Sequence, residues 1–580
     1  MNIYRRLKKL LNKKQKRTVL VMMVLIFFSA LLETLSVGII IPLISAIVNP
    51  EEIMEQGLVK EAFAILNIAP DPDSFVRILL AATMAIFFLK NLYLLLIYRL
   101  QAGFATRTEC SISVRLMSDY MNRPYSFYLN ADVNAIFQNF NKDIPHVFEL
   151  IQEVMKLVTE IAVSICMCAF LLVIDVKMTL SIAALLFVMV LVIILFVKPT
   201  LGKLGQKRMD MQVASMKWMQ QGVFGIKDVK VSRKEGYFLN RFSEAYGGLT
   251  ASKRSYAVLN NTPRLVIETV CIVGMLGYML IKVVSGGDLN SLLPQLTAFG
   301  GAAIRLMPSV NRISTYLSSI AYFEPSLDYV CDHLDLASLE DVKIPEEGKP
   351  LPLSGEILLK DIRFRYPGTE KDIFEHADMR IPVGSSVGVV GASGAGKTTV
   401  IDILLGLLSP QEGSLVVNGE KLRGDDPRWL ASIGYIAQNI YMLDDTIRAN
   451  VAFGVPDAEV DEARIREVLK EAQLEEFIDT LPEGLDAVIG DRGVRISGGQ
   501  RQRIGIARAL YHDPELLVFD EATSALDNDT EAAIMEAINA LKGRKTMVII
   551  AHRLKTIENC DIVYRVENGQ ITEEPRPQAG

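Results

Sequence analysis

A glycine-rich loop that ends in a lysine and two threonines is the clearest chemical signal in this sequence. Its nine residues are Gly391, Ala392, Ser393, Gly394, Ala395, Gly396, Lys397, Thr398 and Thr399. Glycines let backbone N–H groups wrap phosphate oxygens, and a helix that starts at the loop adds partial positive charge. The lysine of such a loop reaches the β- and γ-phosphates, and the hydroxyl after it holds Mg²⁺. The loop therefore predicts a nucleoside triphosphate site.

Two adjacent carboxylates, Asp520 and Glu521, follow the apolar run 516–519. In a triphosphate-hydrolysing site the first suits a Mg²⁺ ligand, and the second suits a general base that polarises the attacking water. Without the glycine loop, surface acids at the end of a strand would be the better interpretation. With the loop, the pair predicts γ-phosphate hydrolysis, in which Asp520 holds Mg²⁺ and Glu521 acts on water.

The elements around these residues have the order that such a site needs. The apolar run 386–390 precedes the glycine loop and a helical pattern at 400–408 follows it, so the segment is predicted as strand, loop and helix. Short apolar runs alternate with helical patterns through the rest of this half. We predict an α/β P-loop NTPase domain over 357–580, preceded by a linker at 336–356 that is rich in proline, glycine and acids.

The first half is predicted as an all-α transmembrane domain over 1–335. Spanning helices need about 20 mostly apolar residues, because only a fully hydrogen-bonded backbone is tolerated in hydrocarbon. Six stretches qualify: 18–48, 74–99, 147–173, 178–197, 262–284 and 289–308. The third and fourth are separated by 175–177 alone, which predicts a tight helical hairpin.

Charge divides the 580 residues and orients the membrane half. Residues 1–340 carry 34 Lys/Arg and 26 Asp/Glu, whereas 341–580 carry 27 and 41. Residues 1–17 hold eight basic residues and no acid, and 49–73 hold six acids and one lysine. Basic loops stay in the cytoplasm, so both termini are placed there. Beside a spanning helix, this topological interpretation is favoured over a nucleic-acid-binding arm. Six cysteines without a C-x-x-C pair predict neither a disulfide framework nor a zinc site.

The segment 496–500, Ile-Ser-Gly-Gly-Gln, resembles the signature motif of ATP-binding cassette (ABC) ATPases. Further motifs stand in that family's order across about 190 residues. They are Gln438 in a Q-loop, Asp527 in a D-loop, His552 in an H-loop, and Tyr366 where the family places its adenine-stacking aromatic residue. The resemblance implies ATP and Mg²⁺ as cofactors, with Gln438 at both the metal and the catalytic centre and His552 contacting the γ-phosphate.

The same resemblance implies a composite site made by two chains. In this family two cassettes pair head to tail, so that the signature of one faces the γ-phosphate held by Lys397 of the other. The signature residues in question are Ser497, Gly498, Gly499 and Gln500. One membrane domain and one cassette resemble a half-transporter of the exporter type, for which a homodimer is expected. Glycine- and proline-punctuated breaks at 123–128 and 221–228 match the positions of its coupling helices.

Basic residues in or beside the predicted spans are the candidates for cargo binding, because charges there are costly. They are Lys90, Arg264, Arg305 and Arg312. Internal neutralisation is the alternative, with Glu268 one turn from Arg264 and Glu33 available to Lys90. Arg305 and Arg312 have no acidic partner nearby in sequence and lie seven residues apart on one helical face, so an anionic head group is favoured for them. Their position near the cytoplasmic end of the span leaves a coupling role open.

A second resemblance concerns the cargo. Segments 33–42 and 305–313 are similar to bacterial flippases for lipid-linked oligosaccharides, which also carry a short external helix, here expected at 51–66. It implies ATP-driven flipping of a polyprenyl-pyrophosphate-linked oligosaccharide to the outer leaflet of the bacterial inner membrane. The alternatives are a multidrug or other lipid exporter of this fold, and an ATP-gated channel or regulator. No nucleic-acid partner is expected.

Overall fold

The computed structural model describes residues 3–39, 72–174, 191–284, 289–333, 348–490, 493–520, 528–551 and 557–574, with isolated positions between 174 and 191. The chain forms two compact units. The first comprises Met1–Asn122 and Asp132–Lys343, and the second comprises Arg123–Ala131 and Ile344–Gly580. The short segment before Asp132 therefore belongs with the second half of the chain.

The first unit is built from helices in its described part, several of them longer than a bilayer is thick. They are α1 (Ile3–Leu10), α2 (Lys13–Gly38), α3 (Pro72–Met121), α5 (Val133–Gln138), α6 (Ile144–Ile174), α7 (Lys198–Phe224), α8 (Ile226–Val231), α9 (Glu235–Val284) and α10 (Leu289–His333). Helix α4 (Tyr125–Tyr128) belongs to the second unit, and π-helical turns cover Asn139–Asp143 and Ile193–Val197. At 1.5 Å per residue, the 50 residues of α3 or α9 reach about 75 Å, well beyond the roughly 30 Å of a hydrocarbon core.

The predicted spans fall on these helices wherever the chain is described. Spans 74–99, 147–173, 262–284 and 289–308 lie within α3, α6, α9 and α10, and span 18–48 begins in α2. Within the described ranges, two segments are long and apolar enough to cross a membrane, Lys13–Ser36 and Val76–Met121. Most of span 178–197, the hairpin at 175–177 and the external helix at 51–66 lie outside the described residues. The number of crossings stays a prediction.

A buried polar chain joins α7 and α10 to the π-helical turn that precedes α6. Arg208 of α7, 3% exposed, donates from Nη2 to Ser326 Oγ at 2.8 Å, and Ser326 donates in turn to Asp143 Oδ1 at 2.9 Å. The guanidinium also lies over the Tyr322 ring, 4.9 Å from its centroid. Buried charges are tolerated when they are paired and hydrogen-bonded, so these bonds fix α7, α10 and the start of α6 relative to one another.

Close approach of α7 and α10 depends on Gly205. A Cβ atom built there would lie 2.2 Å from the carbonyl oxygen of Tyr322, far inside van der Waals contact. Because the atom in the way is backbone, a side chain could not be accommodated by a rotamer change. The glycine thus sets how closely the Arg208 helix and the Ser326 helix can pack.

The second unit is a mixed α/β domain with two sheets. Its strands are β1 (Glu356–Phe364), β2 (Phe374–Pro382), β3 (Ser386–Val390), β4 (Glu412–Val417), β5 (Glu420–Leu422), β6 (Ile433–Ile436), β7 (Leu516–Asp520), β8 (Thr546–Ile550), β9 (Ile562–Glu567) and β10 (Gln570–Glu574). An antiparallel sheet has the order β2-β1-β4-β5, and the larger sheet has the order β10-β9-β3-β8-β7-β6. In the larger sheet β3, β6, β7, β8 and β9 pair in parallel.

Helices connect these strands and cover the parallel sheet. They are α11 (Lys397–Leu404), α12 (Pro427–Ala431), α13 (Ile447–Val451), α14 (Glu462–Glu471), α15 (Glu475–Asp479), α16 (Gly498–Tyr511) and α17 (Asn528–Leu541). Every residue of β3, β7 and β8 is buried, as continuous apolar runs in a parallel sheet require. The strands predicted at 386–390 and 516–519 are confirmed, and the helix after the glycine loop begins at Lys397 rather than at 400.

Both predicted breaks in the membrane half contain short helices. Gly225 ends α7 and directly precedes α8, and Pro124 precedes α4. Within the second unit, Tyr125 of α4 lies close enough to Asp402 and Tyr366 for both to raise the pKa of its phenol, after the larger effect of burial. A segment from between two predicted spans is therefore folded into the α/β domain.

Candidate functional site

The parallel sheet collects the predicted phosphate chemistry along one edge. Residues that follow parallel strands emerge at the same edge, which is where ligands bind in α/β folds. The glycine loop follows β3, Asp520 ends β7, and Gln438 comes two residues after β6. Three segments that are far apart in sequence are thus brought to the carboxyl ends of three parallel strands, β3, β7 and β6, with β8 between the first two.

The glycine loop is shaped to receive an anion. Gly394 has a φ of +79° and nothing within 4 Å of the place where a Cβ would stand, so its backbone is open to an approaching ligand. Gly396 has a φ of +109° and caps α11, where a side chain would be strained and would meet Phe374 at 3.0 Å. Lys397, 6% exposed, donates from Nζ to the carbonyl oxygens of Gly391 and Ala392, each at 3.0 Å. The ammonium group is already held over the loop.

Tyr366 is tied to the helix that starts at this loop. Its hydroxyl lies 3.0 Å from Thr399 Oγ1, and its ring meets Phe364 edge-on at a centroid distance of 5.1 Å. Thr399 is 5% exposed, whereas Thr398 is exposed on the first turn of α11. The exposed hydroxyl is the one that the sequence assigns to Mg²⁺. Adenine stacking on Tyr366 stays a prediction.

Asp520 lies in a cluster of acids and phenols that the sequence did not reveal. It is 7% exposed, and Tyr435 of β6 donates from its hydroxyl to Asp520 Oδ2 at 3.3 Å. Asp402 of α11 is close enough to interact with both, and burial together with the charge of Asp520 raises the pKa of Asp402 to about 6. Two carboxylates in one buried place repel each other. A divalent cation beside Asp520 would relieve that repulsion, which supports Asp520 as a Mg²⁺ ligand. Thr398 and Gln438 as further ligands stay predictions from the sequence.

The signature segment begins a helix with its serine at the cap. Ser497 Oγ accepts from the backbone N–H of Gln500 at 3.2 Å, and Gln500 Oε1 accepts from the backbone N–H of Ser497 at 2.8 Å. This reciprocal capping box leaves Ser497 exposed, while Gly499 is buried one residue into α16. Gly498 is exposed as well. The exposed end of α16 suits contact with something outside this chain, and the contact itself stays a prediction.

Three predicted site residues lie outside the described residues: Glu521, Asp527 and His552. Glu521 directly follows β7, and His552 comes two residues after the end of β8. Their roles remain predictions from the sequence.

The four basic residues of the membrane half have different surroundings. Arg312 Nε donates to Glu160 Oε1 of α6 at 2.6 Å, an ion pair between residues 152 positions apart. Lys90 lies over the ring of Phe87, 4.9 Å from its centroid. Arg264 and Glu268 are both exposed, and the described residues show no ion pair between them. The side chain of Arg305 lies outside the described residues.

The pairing of Arg312 supports the alternative of internal neutralisation for that residue. Glu160 could not be found by sequence proximity, since it comes from another helix. It is 14% exposed on its side chain, and Arg312 is 44% exposed, so the arginine keeps an accessible side. A role of Arg312 in cargo binding stays a prediction, and an anionic cargo would compete with Glu160 for the guanidinium group.

An apolar cavity of about 590 Å³ lies between α2 and α6. Its lining residues are Leu31, Thr34, Leu35, Ile39, Cys166, Ala169 and Phe170. The lining offers hydrocarbon contact on both helices. It is suited to an aliphatic chain rather than to a charged group.

Two family models match the chain, one in each half. A model described as the ABC transporter transmembrane region matches residues 19–281, and a model described as ABC transporter matches residues 374–524. The first match covers the helical unit together with residues 123–131 of the second unit, and the second match lies in the α/β unit.

Individual proteins are similar over different lengths. An "ATP-dependent lipid A-core flippase" of Ralstonia nicotianae is 32% identical over 61% of this chain and 60% of its own length, so the chain spans about three-fifths of that relative. A protein of the same name from Desulfotalea psychrophila is 30% identical over 86% of this chain and 87% of its own length. The structure of a bacterial Atm1-family ABC exporter with ATP bound shares the fold, with a TM-score of 0.74 and 20% identity over 96% of this chain and 95% of that one.

Proposed function

The chain belongs to the ABC transporter family, and from that premise we propose that it hydrolyses ATP to flip an amphiphilic, anionic lipid from the cytoplasmic to the outer leaflet. One observation carries the ATPase part. The glycine loop, Asp520 and Gln438 meet at a single edge of the parallel sheet, with Lys397 already held over the loop.

The residues of this chain divide the work of hydrolysis. Loop N–H groups and Lys397 bind the β- and γ-phosphates of ATP. Tyr366 positions the adenine ring of the nucleotide by stacking on it. Mg²⁺, when bound at Thr398, Gln438 and Asp520, supplies charge neutralisation. Glu521 takes the proton of the attacking water, and His552 contacts the γ-phosphate.

The proposed active form is a homodimer. Ser497, which caps α16, is exposed and is therefore open to contact with a second chain. A second copy would place its Ser497 and Gly499 against the γ-phosphate held by Lys397. Closure of two such sites would draw the cassettes together and bias the membrane cavity outward, and hydrolysis would reset it.

The cargo is proposed from the membrane half. An apolar cavity along α2 and α6 suits a lipid chain, and the accessible side of Arg312 suits an anionic head group. The two relatives above are named for flipping lipid A-core, which supports a lipid cargo. Within this class the sequence favours a polyprenyl-pyrophosphate-linked oligosaccharide, handled at the bacterial inner membrane with the cassette in the cytoplasm.

Flipping of a fluorescent polyprenyl-pyrophosphate glycan in proteoliposomes tests the cargo. Arg305→Ala and Arg312→Ala are each expected to slow flipping about tenfold, because an uncompensated pyrophosphate is costly in a membrane cavity. Drug-stimulated ATPase with no glycolipid flipping would instead indicate a multidrug exporter, and ion current without hydrolysis would indicate a channel.

A double variant separates head-group binding from ion pairing. Arg312→Ala alone also leaves Glu160 unpaired, which is costly by itself. Glu160→Gln combined with Arg312→Gln removes both charges together. If Arg312 binds the head group, the double variant flips as slowly as Arg312→Ala. If Arg312 only neutralises Glu160, the double variant recovers flipping.

Tyr435→Phe is expected to raise the Mg²⁺ concentration for half-maximal ATPase about tenfold, because groups that orient a metal ligand contribute 10- to 100-fold to affinity or activity. The reason is loss of the hydroxyl that holds Asp520 Oδ2. The measurement is a Mg²⁺ titration at saturating ATP. Tyr441→Phe is the matched control, since Tyr441 is 66% exposed on the segment after the same strand. Equal Mg²⁺ dependence in the two variants would contradict the assigned role of Tyr435.

A further inference from the structure

Helix α1 is a separate element and not an extension of the first membrane helix. Asn12 and Gln15 exchange hydrogen bonds, Asn12 N–H to Gln15 Oε1 and Gln15 N–H to Asn12 Oδ1, both at 2.8 Å. This reciprocal cap marks the start of a new helix, and two residues separate the end of α1 at Leu10 from the start of α2 at Lys13. The break frees α1 to pack against a different partner from that of α2.

The inner face of α1 is fixed on the far end of α10. Leu10 is fully buried, and its carbonyl oxygen accepts from Arg115 Nη2 of α3 at 3.1 Å. Arg6 is 13% exposed on its side chain and reaches Asp328 Oδ1 at 2.8 Å and Asp332 Oδ1 at 3.4 Å, both on α10. Ile3 and Leu7 share this half-buried face at helical spacing. The acids that face α1 are therefore gathered on its α10 side.

The outer face of α1 and the first turns of α2 carry many cations and no acid. The exposed basic residues are Arg5, Lys8, Lys9, Lys13, Lys14, Lys16 and Arg17, with Tyr4 68% exposed beside them. Residues 1–32 contain no acid. The face left free by the packing on α10 is thus strongly positive.

Chain length places the cations of the first turns of α2 at the level of lipid head groups, with the end of α1 next to them. The five residues 13–17 rise about 7.5 Å along α2 before the apolar run begins. Two residues joining α1 to α2 span at most about 7 Å. A head-group layer is roughly 5–8 Å thick, and the Debye length is about 8 Å at physiological salt. The cations of residues 13–17 therefore lie at the level of the head groups, and Lys8 and Lys9 at the end of α1 are separated from Lys13 by only a few residues.

We propose that the exposed basic face of α1, with the first turns of α2, binds anionic phospholipid head groups of the cytoplasmic leaflet, and that Arg6 transmits this binding to α10. The surface is distinct from the proposed cargo cavity, which is apolar and lies farther along α2. The inference uses only the cytoplasmic position of the N-terminus from the proposed function. It requires neither ATP hydrolysis nor a particular cargo.

Lipid association of the full chain tests the proposal without any turnover. Spin-labelled phosphatidylglycerol and phosphatidylcholine are compared in vesicles of phosphatidylcholine, at low and high salt. We expect the anionic lipid to be favoured about five-fold or more at low salt, since each cation near such a surface contributes about that factor, and we expect the preference to fall in 0.5 M salt. Equal association of the two lipids by the wild-type protein would overturn the proposal.

A charge-matched pair of variants localises the effect. Arg5→Gln, Lys8→Gln and Lys9→Gln together are expected to lower the preference measurably, and the cations of α2 should account for the part that is left. Lys371→Gln, Lys421→Gln and Lys470→Gln together change net charge equally, at exposed lysines of the cassette, and should leave the preference intact. The first variant keeps five of the eight N-terminal cations, so the chain should still insert with its N-terminus in the cytoplasm. Protease access to the cassette checks the orientation of the variant in the vesicle membrane. An unchanged preference in the α1 variant would overturn the assignment.

Two further measurements separate this surface from other anion sites. Displacement of the lipid by 10 mM inorganic phosphate would indicate a site for free anions. A short RNA that binds tightly, and stays bound when anionic vesicles are present, would indicate a nucleic-acid-binding arm. Either result contradicts the proposal. Arg6→Gln is expected to keep the lipid preference but to lose the rise in unfolding temperature that the lipid gives the wild-type protein. Retention of that rise would contradict the role of Arg6.

Discussion

Glu521→Gln is expected to lower steady-state ATP turnover by about 10²- to 10⁴-fold, the usual contribution of a general base, while nucleotide binding is preserved. The physical reason is that glutamine keeps the size and polarity of glutamate but cannot accept the proton of the attacking water. Phosphate binding by the glycine loop and Lys397 does not involve this group, so affinity for ATP should change little. Phosphate release and nucleotide affinity, measured on the same preparation, check both halves of the expectation.

A neighbouring acid provides the control for Glu521. Glu515 lies just before β7, at the opposite end of the strand from Asp520, and its backbone hydrogen-bonds Ser432 and Thr546. Glu515→Gln should therefore leave turnover unchanged. Equal turnover in wild-type protein and Glu521→Gln would show that another group activates the water.

Ser497→Asp is expected to reduce ATP turnover about 10²- to 10³-fold without loss of stability. Aspartate is as good a helix N-cap as serine, so the bond from the Gln500 N–H is kept and α16 should stay intact. In the proposed dimer, however, the new carboxylate would face the γ-phosphate of the partner site and replace a donor with a like charge. The unfolding midpoint and the ATPase rate, measured together, separate the two roles of this residue.

Ser497→Thr is the matched control for that variant. Threonine also caps helices and keeps a hydroxyl, so both stability and turnover should remain near those of the wild-type protein. Normal turnover in Ser497→Asp would show that Ser497 only caps α16. It would remove the argument for a composite site from this end of the helix.

The sequence predicted those parts of the site that depend on local patterns, and it missed contacts between residues that are distant in the chain. The glycine loop and the run ending at Asp520 are local patterns, and both strands formed where they were predicted. Tyr435 and Asp402 were missed, although an acid within the apolar helical pattern 400–408 was a visible signal for Asp402. Tyr435 offered none, because its partner Asp520 is 85 residues away and only the pairing of β6 with β7 brings them together.

The membrane half shows the same division. Apolar length predicted helices at most spans, because backbone hydrogen bonding in hydrocarbon leaves few other choices. The partner of Arg312 was not predictable, since helix packing and not sequence distance places Glu160 beside it. Sequence position also did not show which unit residues 123–131 belong to. They are part of the α/β unit although predicted spans flank them in sequence.

The sequence by itself determined the chemistry that this protein carries and the elements that carry it, because loop conformation, strand burial and membrane helices are set by residues close together in the chain. Only the tertiary structure decided which charges are neutralised and which are left exposed. Arg6 and Arg312 are tied to acids on other helices, whereas the outer cations of α1 keep an open face. Pairing of charges is a matter of distances of a few ångströms between distant segments, and those distances exist only after folding.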